Sequence, residues 1–106
     1  MRCRLTWTRR ARTDLLDIYM LIGVEQPAAA ERCLDRLEGL ANLPREQPRL
    51  GVRRSDIVPG LRMLVERPYL DLYRLEPDTD EGPVDVAEIV RVVDGRRDLP
   101  RLFPAG

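Results

Sequence analysis

The sequence predicts an α+β fold in the order β-α-α-β-β-β. An N-terminal strand leads into a two-helix antiparallel hairpin. A three-stranded antiparallel meander then completes one sheet, and a short helical turn closes the chain. Three observations predict this. Between Gly60 and Val93 lie three short runs rich in Val, Ile, Leu and Tyr, separated by Pro- and Gly-bearing turns, as strands joined by hairpins are. Residues 9–41 carry apolar residues at three- and four-residue spacing instead, the period of an amphipathic helix. At 106 residues the chain is one domain, 1–106, with room for a single hydrophobic core.

Cys3, Leu5 and Trp7 alternate with Arg4 and Thr6, which gives a first strand with one buried face. Thr8 is placed to cap a helix from about Arg9 to Ile22. Its stripe is Ala11, Leu15, Ile18 and Ile22, with Arg12, Asp14 and Asp17 expected on the surface. Gly23 is a natural stop, and Pro27 suits the first turn of a second helix. That helix carries Ala30, Leu34, Leu37 and Ala41, widened by Cys33 and Leu40, and Pro44 ends it.

The stretch from Pro44 to Pro59 reads as irregular, with Arg53, Arg54 and nearby Arg62 able to line an anion site. Strands are expected at 61–67 and 69–76, then an acidic hairpin loop, then the most apolar run of the chain at 84–93. Strict alternation puts Val84, Val86, Val90 and Val92 on one face of that last strand, and Ala87, Ile89 and Val93 on the other. A strand apolar on both faces is central and covered on both sides. Arg62, Arg74 and Arg91 fall one per strand, and pairing with buried acids such as Asp71 or Glu88 is their structural alternative. Asp98 can cap a final turn whose Leu102 and Phe103 dock back on the fold.

All 18 cations are Arg, balanced by 18 acids, and there is no His. Imidazole is therefore excluded as base, shuttle or ligand. The zero net charge hides a block structure, with +3 over residues 44–74 and −6 over residues 75–88. A dedicated nucleic-acid binder shows a strong basic excess, so no direct nucleic-acid binding is expected of the chain alone. Two cysteines, Cys3 and Cys33, make neither a disulfide framework nor a metal site. No cofactor is expected. No stretch resembles a signal peptide or reaches membrane-spanning length, and the reading is a reduced, cytoplasmic protein.

The ordered set Gly60-Leu61-Arg62, Pro68-Tyr69, Tyr73-Arg74 and Arg91-Val92 followed by Gly95, Arg97, Asp98 and Leu99 resembles the ParE branch of the RelE/ParE toxin superfamily. Ala11, Asp14-Leu15 and Pro48-Arg49-Leu50-Gly51 fit the same pattern. The resemblance implies the toxin of a type II toxin–antitoxin module, with a small ParD-like antitoxin as partner and DNA gyrase as target. Two alternatives stay open: a RelE-like ribosome-dependent endoribonuclease using Arg62, Arg74 and Arg91, or an inactive toxin-fold binding partner. The RelE-like branch carries a late Tyr, often with His or Lys, for acid–base work on RNA. This chain has no His, no Lys and no Tyr after Tyr73. Arginine can stabilise charge but is a poor proton carrier. Asp94 stands where such proteins commonly have His. Arg91, Asp94, Arg96 and Arg97 are the target-binding candidates. Tyr19, Arg53, Arg54 and Arg62 are the antitoxin-binding candidates.

Overall fold

A computed structural model describes residues 2–103. Strand β1 (Arg4–Trp7) runs into helix α1 (Arg9–Gly23), and three residues on the chain enters α2 (Pro27–Asn42). After a 3-10 turn at Leu43–Arg45 come β2 (Val52–Arg53), β3 (Arg62–Glu66), β4 (Tyr69–Glu76) and β5 (Val86–Asp94), and a second 3-10 turn spans Leu99–Leu102. The five strands form one sheet in the order β1-β5-β4-β3-β2. The β2-to-β5 part is an antiparallel meander, and β1 lies parallel beside β5.

The local signals act as their chemistry requires. Thr8 is extended, and its hydroxyl accepts from the Ala11 N–H, closing the first turn of α1. Pro27 opens α2 where a missing N–H costs nothing. Ala11, Ile18, Cys33, Leu37 and Ala41 of the hairpin bury against Leu64, Tyr73, Leu75, Ala87, Ile89 and Val92 of the sheet. The opposite sheet face has its own smaller cluster of Leu61, Leu70, Leu72, Val93 and Leu99. Leu102 and Phe103 pack there as expected, and β5 is interior in the sheet, its second face covered at Val90 and Val93 and open at Glu88. Asp98 stands at the cap position of the last turn, but its side chain makes no cap hydrogen bond.

Three expectations are corrected. The stretch expected to be irregular contains both the 3-10 turn and β2, because Val52 and Arg53 register against Met63 and Arg62. The alternation along β5 breaks: Leu72 pairs with Arg91 but Tyr73 with Ile89, so Val90 is an extra residue. Beyond this bulge the faces exchange. Val92 joins Ala87 and Ile89 under the helices, while Val93 faces away with Val90. Asp14, expected on the surface, is buried.

Candidate functional site

The bulge and the buried Asp14 belong to one arrangement. β1 pairs with β5 only as far as Ile89, after which the chain turns into α1. The Thr8 N–H still donates to the Ile89 carbonyl, and the Thr8 hydroxyl donates to the Val90 carbonyl. Two residues further on, the Asp14 carboxylate takes over from the absent strand. Its Oδ2 accepts from the Val92 N–H at 2.9 Å and from Arg91 Nε at 2.8 Å, and Oδ1 accepts from Arg91 Nη2 at 3.1 Å. Arg10 approaches the same carboxylate at 3.4 Å. Arg91 is therefore half of a buried, two-pronged ion pair that ties α1 to β5, with its charge paired inside the fold.

Beyond Arg91 the strand ends in an exposed turn. Asp94 accepts from the Arg96 backbone N–H, from Arg96 Nε and from Arg96 Nη2 at 2.6 Å. These bonds from Arg96 hold the Asp94 carboxyl down to about 2, so it is an anion at any physiological pH. Asp94 and Arg97 share a groove of about 250 Å³ with Asp14, Ile18, Leu21 and Tyr69. Of the four target-binding candidates, the structure thus brings Asp94, Arg96 and Arg97 to one exposed corner, with Arg91 buried behind them.

The antitoxin-binding candidates do not converge in this way. Tyr19 stands at the far end of α1, in an apolar hollow of about 290 Å³ with Met20, Gly23, Val24 and Pro27. Leu16 and Met20 of α1 and Val24 just past its end lie four residues apart, and Val24 is 83% exposed. The arginine stretch lies at the β2 edge, next to the start of β3, whereas Arg36 of α2 reaches Glu66 at the other end of β3. Arg53 pairs with Asp80 at 2.8 Å, and Arg54 pairs with Asp56 at 2.9 Å.

Arg62 is buried and works on the backbone. Its Nη1 donates to the carbonyls of Arg49 and Gly51. The neighbouring Tyr73 hydroxyl donates to the Pro48 carbonyl and accepts from the Gly51 N–H at 2.8 Å. Together they fix Pro48–Gly51 across the end of the sheet. Gly51 is required because a Cβ there would stand 2.6 Å from the Tyr73 ring. Pro-Arg-Leu-Gly is thus a structural lock, although its residues carry no periodic signal in the sequence.

The three strand arginines have three separate occupations. Arg62 holds a loop, Arg91 holds a helix, and Arg74 pairs with Glu88 at 2.9 Å on the open sheet face. Of the two acids offered as partners for these arginines, Glu88 takes Arg74, whereas Asp71 receives no arginine among the described residues. Asp71 is fully buried between Leu64 and Val92, and among the described residues neither of its oxygens has a hydrogen-bond partner. Burial, with a smaller contribution from Glu66, pushes its carboxyl up to about 7.

Among the described residues no cluster of His, Cys, Asp and Glu is placed to hold a metal ion, and no helix is long and apolar enough to cross a membrane. The chain is similar to known proteins along most of its length. It is 41% identical over 66 residues to Toxin ParE3 of Caulobacter vibrioides, a stretch covering 62% of this chain and 59% of that protein. The fold matches a chain of the chromosomal ParDE TA system from P. aeruginosa with a TM-score of 0.70 and 27% identity, covering 88% of this chain and 96% of that one. The model of the family described as ParE toxin of type II toxin-antitoxin system, parDE, matches residues 5–99, a span from β1 through Asp94 and Arg97 to Leu99, and the chain belongs to this ParE toxin family.

Proposed function

We propose that the protein is a cytoplasmic toxin that poisons DNA gyrase and is held inactive by a small ParD-like antitoxin. Family membership over residues 5–99 carries this reading. The alternative of RNA cleavage loses support from the separation of Arg62, Arg74 and Arg91, each already bound to a different internal partner. RNA cleavage needs a base for the 2′-hydroxyl and an acid for the leaving oxygen. The exposed corner instead carries Asp94, an anion that repels phosphate.

In this reading the corner of Asp94, Arg96 and Arg97 faces the target. The antitoxin lies along the exposed ridge Leu16, Met20 and Val24, past Tyr19, and reaches Arg53 and Arg54. These places are at opposite ends of the sheet, so the antitoxin segment must be extended and long. A segment of that kind folds on binding and draws its affinity from apolar burial along the ridge. Arg62 contributes by holding the loop beneath rather than by touching the partner.

The test is induction in bacteria with and without the neighbouring small open reading frame, reading growth, cleaved DNA, the SOS response and early transcript integrity. Growth arrest with cleaved DNA and SOS induction, relieved by the co-expressed partner, is expected. Rapid mRNA cleavage without an SOS response would overturn the gyrase assignment. Robust growth under strong induction would show an inactive relative.

A further inference from the structure

The two oppositely charged blocks of the sequence fold against one another. The acidic β4–β5 loop, residues 77–85, bends over the end of the sheet to the arginine stretch before and within β2. Arg49 Nε donates to the Thr79 carbonyl at 2.8 Å, and Arg49 Nη2 donates to the Thr79 hydroxyl and to the Gly82 carbonyl. Arg53 Nη2 meets Asp80 at 2.8 Å and Asp78 at 3.6 Å. Asp78 also lies against Gly60, where a Cβ would stand 3.0 Å from its Oδ2. Behind the loop, a cleft of about 420 Å³ is lined by Gly60, Arg74, Glu76, Asp78 and Glu88.

We propose that this loop is an internal occupant of the Arg49–Arg53 seat, which an acidic, extended segment of a partner must displace in order to bind. The proposal rests on the reading of the arginine stretch as the partner's seat. The contacts have the character a displaceable occupant needs. They are exposed, with the Asp80 side chain 92% accessible, and exposed ion pairs are weak and screened by salt. The loop is nevertheless tethered to the seat, so it competes at high effective concentration without any diffusional search. A competitor of this kind lowers the apparent affinity of every acidic ligand by the fraction of time the seat is open. It thereby selects for partners that bring additional contacts, such as the apolar ridge of α1.

The experiment uses the full chain and fluorescein-labelled hexaglutamate, followed by anisotropy at low and high salt. Asp78→Asn with Asp80→Asn should bind hexaglutamate at least about fivefold tighter than wild type at low salt, the scale set by losing weak exposed pairs. Arg49→Ser with Arg53→Ser should abolish binding. Glu31→Gln with Asp35→Asn on the exposed side of α2 changes net charge equally and should leave the affinity at the wild-type value. Hexaglutamate should also speed hydrogen exchange of the Thr79–Gly82 amides in wild type.

Wild-type binding by the arginine variant would overturn the seat and the proposal together. Loss of binding in the arginine variant, with no gain in the loop variant, would overturn the loop's role alone. An equal gain in the α2 variant would do the same, because net charge would then account for it. Preference for a thymidine oligonucleotide over hexaglutamate would overturn the assignment to an acidic peptide.

Discussion

Asp71 should make this protein lose stability as pH rises through the range where most proteins are steadiest. The carboxyl is fully buried, neither oxygen has a partner among the described residues, and its value is pushed from 3.8 to about 7 by burial and then by Glu66. In the unfolded chain it ionises near 3.8, so from there to about 7 the folded state holds a proton that the unfolded state has released. Folding stability then falls by about 1.4 kcal/mol per pH unit across that window and is level above it, a loss of about 4 kcal/mol. Set against a total of roughly 5–15 kcal/mol for a domain, this is a large share. The chain has no His, and Asp94, held near 2 by Arg96, loses its stabilising charge only in stronger acid.

Asp71→Asn keeps the shape and removes the ionisation. Urea unfolding followed by circular dichroism from pH 4.5 to 8.5 should give a falling profile for wild type and a flat one for the variant. The two should differ by less than about 1 kcal/mol near pH 4.5, and the variant should be more stable by about 3–4 kcal/mol at pH 8. Parallel profiles, or a variant less stable at pH 8, would refute the reasoning and require a partner for the carboxylate.

Two further perturbations test the locks at either end of the sheet. Asp14→Ala leaves Arg91 as an uncompensated buried charge and the Val92 N–H unpaired, and should cost about 3–5 kcal/mol in urea unfolding. Adding Arg91→Met should recover part of that loss, and a double variant no better than the single one would count against the pair. Gly51→Ala drives a methyl to 2.6 Å from the Tyr73 ring and disturbs both hydrogen bonds of its hydroxyl. The expected loss is about 2–4 kcal/mol, while Gly39→Ala, with nothing within 4 Å of the added Cβ, should be neutral or stabilising. Equal behaviour of the two alanines by thermal melting would show that the Tyr73 contact does not constrain the loop.

Local chemistry determined much of this protein. The helices follow from apolar spacing and from Thr8 and Pro27 at their starts, and β4 runs from Tyr69 to Glu76 as its residue types dictate. These features depend on neighbours within a few residues, which is what a sequence displays directly. Glu88 was legible as an acid that a strand arginine could meet, but not that Arg74 would be the one. The arginines, the Asp94 turn and the Pro-Arg-Leu-Gly stretch were legible as residues worth watching, but not as to what each one does.

Tertiary structure alone decided the rest. Asp14 and Arg91 are 77 residues apart, and nothing near Asp14 announces that it substitutes for a strand ending at Trp7. The extra residue Val90 reverses the faces of β5, an effect invisible to any alternation rule because it depends on the register with β4. Arg62 stands among exposed arginines in the sequence, yet its guanidinium is buried because Tyr73 and the Gly51 loop close over it. Asp71 was a plausible partner for an arginine until each strand arginine found a different task, leaving the carboxyl in the core. In every case the deciding term is a contact between segments far apart in the chain, whose geometry exists only once the sheet, the hairpin and the crossing loop are in place.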